Sequence, residues 1–177
     1  MEDFYAITFL SYHEPTIQEF HVTARMRGRH YYASMWVFIV QMTFIYLIFK
    51  TVVYDVDHFT FVTPDTWVYI VRFLCAMLLH MELAGEVRQG LQMISYLNCH
   101  PERFSSTWVP FLVCMMQTTG GAISMLTNLF MLATRTSVEL CITFFVAFHV
   151  LTAVDNIYAE GLSNFHLKEA VEQPLVW

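Results

Sequence analysis

Trp108 to Ala133 read WVPFLVCMMQTTGGAISMLTNLFMLA, a run without a single Asp, Glu, Lys or Arg. A helix needs about 20 mostly apolar residues to cross the hydrocarbon core of a bilayer. This run is longer than that, and it therefore predicts a membrane-spanning helix.

Three further apolar runs surround it, at Ser34 to Tyr54, Thr66 to Ala84 and Val138 to Tyr158. Each is long enough to span the membrane. The run from Thr66 is the least hydrophobic, because it contains Arg72, His80 and Glu82. The sequence predicts an all-α membrane protein with four transmembrane helices.

The composition of the whole chain points the same way. Of 177 residues, 56% are hydrophobic and only 14% are charged, and the mean hydropathy is +0.48. Soluble domains carry about 25% charged residues. The formal net charge of -6 offers no basic surface for nucleic acid, so the expected partners are the lipid bilayer and other membrane subunits.

The segment before the first run has a different pattern. Phe20, Val22, Ala24 and Met26 alternate with polar residues, which is the period of a β-strand. With Phe4 to Ser11 as its partner, this stretch predicts a short β-hairpin, and an interfacial segment is the alternative. We therefore divide the chain into an N-terminal cytoplasmic or interfacial segment (1–33), a four-helix transmembrane domain (34–158) and a C-terminal cytoplasmic tail (159–177).

Basic residues predict the orientation, because cytoplasmic loops carry an excess of Lys and Arg. Three arginines precede the first span, and the loop after it carries acidic residues instead: Arg25, Arg27, Arg29 against Asp55, Asp57, Asp65. Both termini are predicted to be cytoplasmic. Arg135 disagrees, because alternation places it outside.

The third span carries a stripe of polar and small residues at helical spacing: Cys114, Gln117, Gly121, Ser124, Asn128. One interpretation is helix packing, with Gly120 and Gly121 at a close helix contact and the amides bonded to a neighbouring helix. The other is that Gln117, Ser124 and Asn128 line a pore formed by several copies of this helix.

Ionisable residues form a second group on the second and fourth spans. Glu82, Glu86 and Asp155 predict an acidic vestibule at the cytoplasmic end. A solvated helix end, or pairing of Asp155 with Arg88 or Arg103, are the structural alternatives.

Sites for catalysis and cofactors are not indicated. His80 and His149 lie at similar depths, which is a weak pattern for haem ligation. The four cysteines stand singly, and the sequence has no His-Glu-x-x-His, P-loop or nucleophile elbow. We expect no enzyme activity, no metal and no cofactor.

Several short motifs lie between Val71 and Tyr158: Leu79-His80, Glu86-Val87-Arg88-Gln89, His100-Pro101-Glu102-Arg103-Phe104, Met116-Gln117-x-x-Gly120-Gly121, Val154-Asp155-Asn156-x-Tyr158. In these motifs the chain resembles segments of uncharacterised multi-pass membrane proteins of protists. The resemblance covers about half of the chain and implies a recurring membrane module, with no activity or site residue attached.

These features together favour a pore-forming subunit of a homo-oligomeric, cation-preferring ion channel. One copy with four spans can hardly enclose a conduction path, so the hypothesis requires a symmetric homo-oligomer. The alternative is a non-catalytic accessory subunit of a larger membrane complex.

Overall fold

A computed structural model of the chain describes residues 4–19, 21–55, 65–154 and 157. All regular elements within these ranges are helices, apart from one isolated β-bridge between His13 and Phe104. In chain order they are α1 (Phe4–Leu10), α2 (Glu14–Glu19), α3 (Ala24–Asp55), α4 (Thr66–Cys99), α5 (Trp108–Thr134) and α6 (Val138–Thr152), with one 3₁₀ turn at Pro101–Arg103.

Three of these helices, α3, α4 and α5, are long and apolar enough to cross a membrane. The prediction of four such helices is therefore not met in the described residues. α6 is apolar but has only 15 residues, which is about 22 Å of helix against a hydrocarbon core of about 30 Å. The end of the predicted fourth span, Tyr158, lies outside the described residues.

The predicted β-hairpin is wrong. Phe4–Leu10 is a helix with all seven residues buried, and a helix that is apolar on every side is stable only when protein surrounds it. The alternation around Val22 is interrupted because Ala24 begins α3. Thr23 Oγ1 accepts a hydrogen bond from the Met26 amide at 3.4 Å, which is the position of a helix N-cap.

The long helices extend beyond two of the predicted span boundaries. α3 begins at Ala24 rather than Ser34. α4 continues past Ala84 to Cys99 and ends just before Pro101, which cannot continue a helix. α5 begins at Trp108, as the sequence predicts.

α5 is the central helix, and it contacts α1, α3, α4 and α6. In the most apolar 18-residue stretch of α5, 44% is buried inside the protein, compared with 22% in the corresponding stretches of α3 and α4. α4 runs antiparallel to α5: Gly90 lies beside Thr118, and Gly121 lies beside Val87. Most of α4 therefore lies along the uncharged central helix.

α6 and α1 pack at opposite ends of this bundle. Cys141 of α6 clusters with Leu132, near the C-terminal end of α5, and Phe148 clusters with Leu79 and Leu83 of α4. α1 packs near the other end, where Thr8 Oγ1 lies 2.6 Å from Ser34 Oγ of α3. The N-terminal segment is thus part of the bundle.

Candidate functional site

The polar stripe of α5 faces the interior of the subunit. Gln117, Ser124 and Asn128, the three predicted pore-lining residues, are all buried. Ser124 Oγ has no hydrogen-bond partner among the described residues. In this arrangement the stripe is turned toward neighbouring helices of the same chain and away from the surface where another copy could approach.

The two glycines of α5 face different helices. Gly120 lies against Phe38 and Met42 of α3, the nearest side-chain carbon being 3.6 Å from the position of an added Cβ. At Gly121 the same added atom would lie 2.8 Å from Val87 Cγ2 of α4. Only glycine fits at Gly121 without a shift of the Val87 side chain or of α4, because real Cβ atoms do not approach a carbon so closely.

A second buried polar contact connects α3 to α6 across the bundle. Gln41 Nε2 donates to the Thr152 carbonyl at 3.3 Å, and Thr152 Oγ1 donates to the His149 carbonyl at 2.9 Å. Both side chains are buried. These bonds satisfy polar groups that would be costly in an apolar interior.

A hydrogen-bonded pair of a glutamate and a histidine joins α4 to α6 on the outer surface. Glu82 Oε2 lies 2.9 Å from His149 Nδ1, and the side chains are 39% and 48% exposed, respectively. The Phe145 ring stacks on the His149 imidazole with ring centroids 6.3 Å apart. The pair is therefore held in place from within the chain, while about half of each ionisable side chain faces outward.

The depth of this pair follows from the packing of α4 on α5. Arg72 donates to the carbonyl of Arg135, just after the end of α5. About 15 Å of helix separates Glu82 from Arg72, and α5 is about 40 Å long. Glu82 therefore lies beside the middle part of an uncharged helix, well away from either end.

The surface around the pair is apolar on two sides. The exposed large residues nearest in sequence are Leu78 and Met81 on α4 and Val146 and Val150 on α6. Gly85, one turn beyond Glu82, is exposed and has no atom within 4 Å of the place where a Cβ would be. We call Glu82, Gly85 and His149 the outer polar face.

The other predicted vestibule residues have different positions. Glu86 is partly exposed, and Arg88, two residues further along α4, is exposed. Asp155 lies outside the described residues. Its place in the vestibule therefore stays a prediction, as does the alternative that it pairs with Arg88 or Arg103. Arg88 is six residues from Glu82, which is about 120° around the helix, so it lies on a different side of α4 from Glu82.

A third polar cluster lies around the buried His13, which follows α1 and contacts the C-terminal end of α4. Its Nδ1 is 3.1 Å from Thr16 Oγ1, and its Nε2 is 3.3 Å from the Tyr96 hydroxyl. Arg103 also donates to that hydroxyl at 3.3 Å. Burial, and next the charges of Arg103 and His100, lower the pKa of His13 below its ordinary value of 6.5.

The same end of the bundle is tied together by Arg27 of α3. Its guanidinium donates to Ser105 Oγ at 2.6 Å and lies over the Tyr12 ring, 5.7 Å from the centroid. The Ser105 amide donates to the Tyr12 carbonyl at 3.1 Å. These contacts hold the N-terminal segment against the turn between α4 and α5.

Two features of the described ranges bear on metal and ligand binding. The first is the placement of the side chains that could hold a metal ion, and the second is a surface groove. The described ranges contain no group of three or more His, Cys, Asp or Glu side chains placed to hold a metal ion. A surface groove of about 310 Å³ lies at the turn between α4 and α5, and none of its lining residues is ionisable: Leu97, Asn98, Pro101, Thr107, Trp108, Phe111. Such a lining offers neither an acid nor a base for catalysis.

No protein-family model, curated protein or solved structure matches this chain.

The pairing of Glu82 with His149 was not predicted from the sequence. Both residues are ionisable groups within apolar runs. The sequence alone suggests His80 as the counterpart of His149, whereas the structure leaves His80 exposed on α4. The signal that could have indicated this pair is depth, because Glu82 and His149 lie in the interior of two helices that run in the same direction. What was missing was the rotation of each helix, which a single sequence does not give.

Proposed function

We propose that this chain is a non-catalytic membrane subunit that works by assembling with another membrane protein through the outer polar face. The observation that carries the proposal is the half-exposed Glu82–His149 pair beside the middle of α5. Ionisable side chains at such depth are expensive in lipid and normally face protein or water. Three apolar helices supply the membrane anchor.

The internal partners of the pair favour a protein contact over an ion path. Glu82 already shares its carboxylate with His149 at 2.9 Å. A cation path requires carboxylates that are free to attract ions. A carboxylate that is hydrogen-bonded to a histidine of the neighbouring helix is less available to a passing cation, and such a pair is better suited to contact with a protein partner.

The second candidate is the cation-preferring homo-oligomeric channel. One observation favours it: Glu82 and Glu86 are one helical turn apart on α4, and neither is fully buried. If several copies placed α4 around an axis, these carboxylates would face a common water-filled space. In that arrangement the lining comes from α4, and Gln117, Ser124 and Asn128 act in packing.

The proposal is tested by the mass of the protein in lipid. Tagged protein is cross-linked in the membrane in which it is expressed, extracted in lipid nanodiscs, and weighed against the 20.7 kDa of one chain. We expect a species heavier than one chain. As a control, the double variant Glu82→Leu, His149→Leu removes the polar pair and should shift the protein toward the monomer. A wild-type protein that is monomeric throughout would disprove the proposal.

A further inference from the structure

Two features of the outer polar face point to the kind of partner it takes. The first is charge: an acid on α4 and a base on α6 lie side by side at one depth, joined at 2.9 Å. The second is shape: Gly85 leaves open space on the exposed side of α4. A glycine inside a helix costs about 1 kcal/mol relative to alanine and is common where a second helix approaches closely.

A second copy of this chain meets both features. Two copies inserted in the same direction are related by a two-fold axis parallel to the helices. Rotation by half a turn about an axis in front of the face brings α4 of one copy opposite α6 of the other. Glu82 of each copy then lies opposite His149 of its partner at the same depth, and Gly85 of each copy faces α6 of its partner, where it leaves room for that helix to approach.

We propose that the outer polar face is a two-fold interface between two copies of this chain, in which Glu82 and His149 pair reciprocally. The inference rests on the proposed function and names its partner. It differs from a ring of copies around a pore, because a two-fold contact closes after two subunits and leaves no axial channel between them.

The reciprocal pairing is tested by exchanging the charges between differently tagged copies. A Glu82→His copy carries two bases on the face, and a His149→Glu copy carries two acids. Each should self-associate more weakly than wild type, on the order of tenfold, because a pair of identical variants no longer places an acid opposite a base. The two variants expressed together should pair with each other, because every acid again meets a base.

The measurement is the recovery of one tag with the other, from purified copies mixed in nanodiscs or from co-expressing membranes. Enrichment of the mixed pair over both self-pairs supports the two-fold interface. Equal recovery in all combinations overturns it, since the face would then not discriminate. The melting temperature of each variant as a monomer shows that the fold is retained.

Gly85 provides an independent variant that leaves the interior of the subunit untouched. Gly85→Leu adds a side chain where no atom lies within 4 Å, so the subunit should fold normally and lose dimerisation. Gly28→Leu is the matched control, because Gly28 also has nothing within 4 Å and lies at the start of α3, away from this face. Equal dimer fractions in the two variants would overturn the proposal.

The possible outcomes separate this inference from the proposed function. A purified wild-type dimer of twice 20.7 kDa supports both. A protein that is monomeric when pure, yet cross-links to other proteins in the membrane, overturns the two-fold interface and leaves the assembly function in place. A protein that is monomeric in both settings overturns both.

Discussion

Gly121 shows at a single residue how closely α4 and α5 approach. A Cβ at this position would meet Val87 Cγ2 at 2.8 Å, so a larger side chain must displace the Val87 side chain or push the two helices apart. We expect Gly121→Leu to lower the free energy of unfolding by about 1–3 kcal/mol or more, which is typical of overpacked cores. Thermal denaturation in detergent measures this effect.

Leu129→Ile is the control for that change, because Leu129 lies on the exposed face of the same helix. It should shift the melting temperature little. Equal stability of the two variants would contradict the close contact at Gly121. The glycine pair was visible in the sequence, but the identity of the facing helices was not, since glycine spacing carries no information about the neighbour.

His13 makes stability depend on pH. Its pKa is lowered by burial, and then by Arg103 and His100, so the folded state binds fewer protons than the unfolded state below about pH 6.5. The free energy of unfolding should therefore fall as the pH drops from about 6.5 toward the lowered pKa of the folded protein. Well above pH 6.5, where this histidine is neutral in both the folded and the unfolded state, it contributes no slope.

His13→Gln checks this prediction, because glutamine keeps hydrogen-bonding capacity toward Thr16 and Tyr96 and cannot be protonated in this range. Other groups near the site are Arg27 of α3 and the Tyr12 hydroxyl, whose pKa is raised by burial. The variant should show a flatter dependence of melting temperature between pH 5 and about 6.5. An unchanged slope would assign the effect to other titrating groups.

At the scale of elements, α3 shows why the N-terminal segment could not be predicted from its pattern. Val22, Ala24 and Met26 have the alternation of a strand, but the structure buries Val22 and exposes Ala24 and Met26. Local alternation over a few residues competes with the long helix that follows, and the Thr23 cap fixes where that helix begins. Three of the four long runs were predicted correctly as helices that can span a membrane, because an apolar run of about 20 residues has few alternatives.

α6 bears on the orientation of the chain. If it crosses the membrane together with α3, α4 and α5, the chain crosses an even number of times and both termini lie on one side. The three arginines before the apolar part of α3 predict that this side is cytoplasmic. We expect tags at both ends to be labelled only after intact cells are permeabilised. Labelling of the C-terminal tag alone in intact cells would mean that α6 does not cross.

At the scale of the whole molecule, the sequence predicted the membrane class and the polar stripe of α5, but not where that stripe faces. Helical spacing identifies which residues share a face, and burial inside the subunit depends on how the other helices surround it. α5 has contacts on several sides, so its polar face is turned inward. The outer polar face instead combines residues from α4 and α6, which lie far apart in the chain.

The last prediction concerns conduction, where the two candidate functions differ most sharply. A subunit that docks through a two-fold face encloses no water-filled axis, so wild-type protein in liposomes should give no cation flux above empty liposomes across a range of voltage and pH. The protein must first be shown to be assembled in those liposomes by cross-linking, because an unassembled pore subunit would also be silent.

Flux from assembled protein would contradict the docking function and favour the channel, and substitutions would then identify its lining. If α4 lines the path, Glu82→Gln and Glu86→Gln should lower cation preference most at low salt, where charges are screened least. If α5 lines it, Gln117→Ala and Asn128→Ala should change conductance with assembly intact. Because both amides are buried within one subunit, we expect these two substitutions to lower the melting temperature instead, as the loss of packing and polar contacts requires.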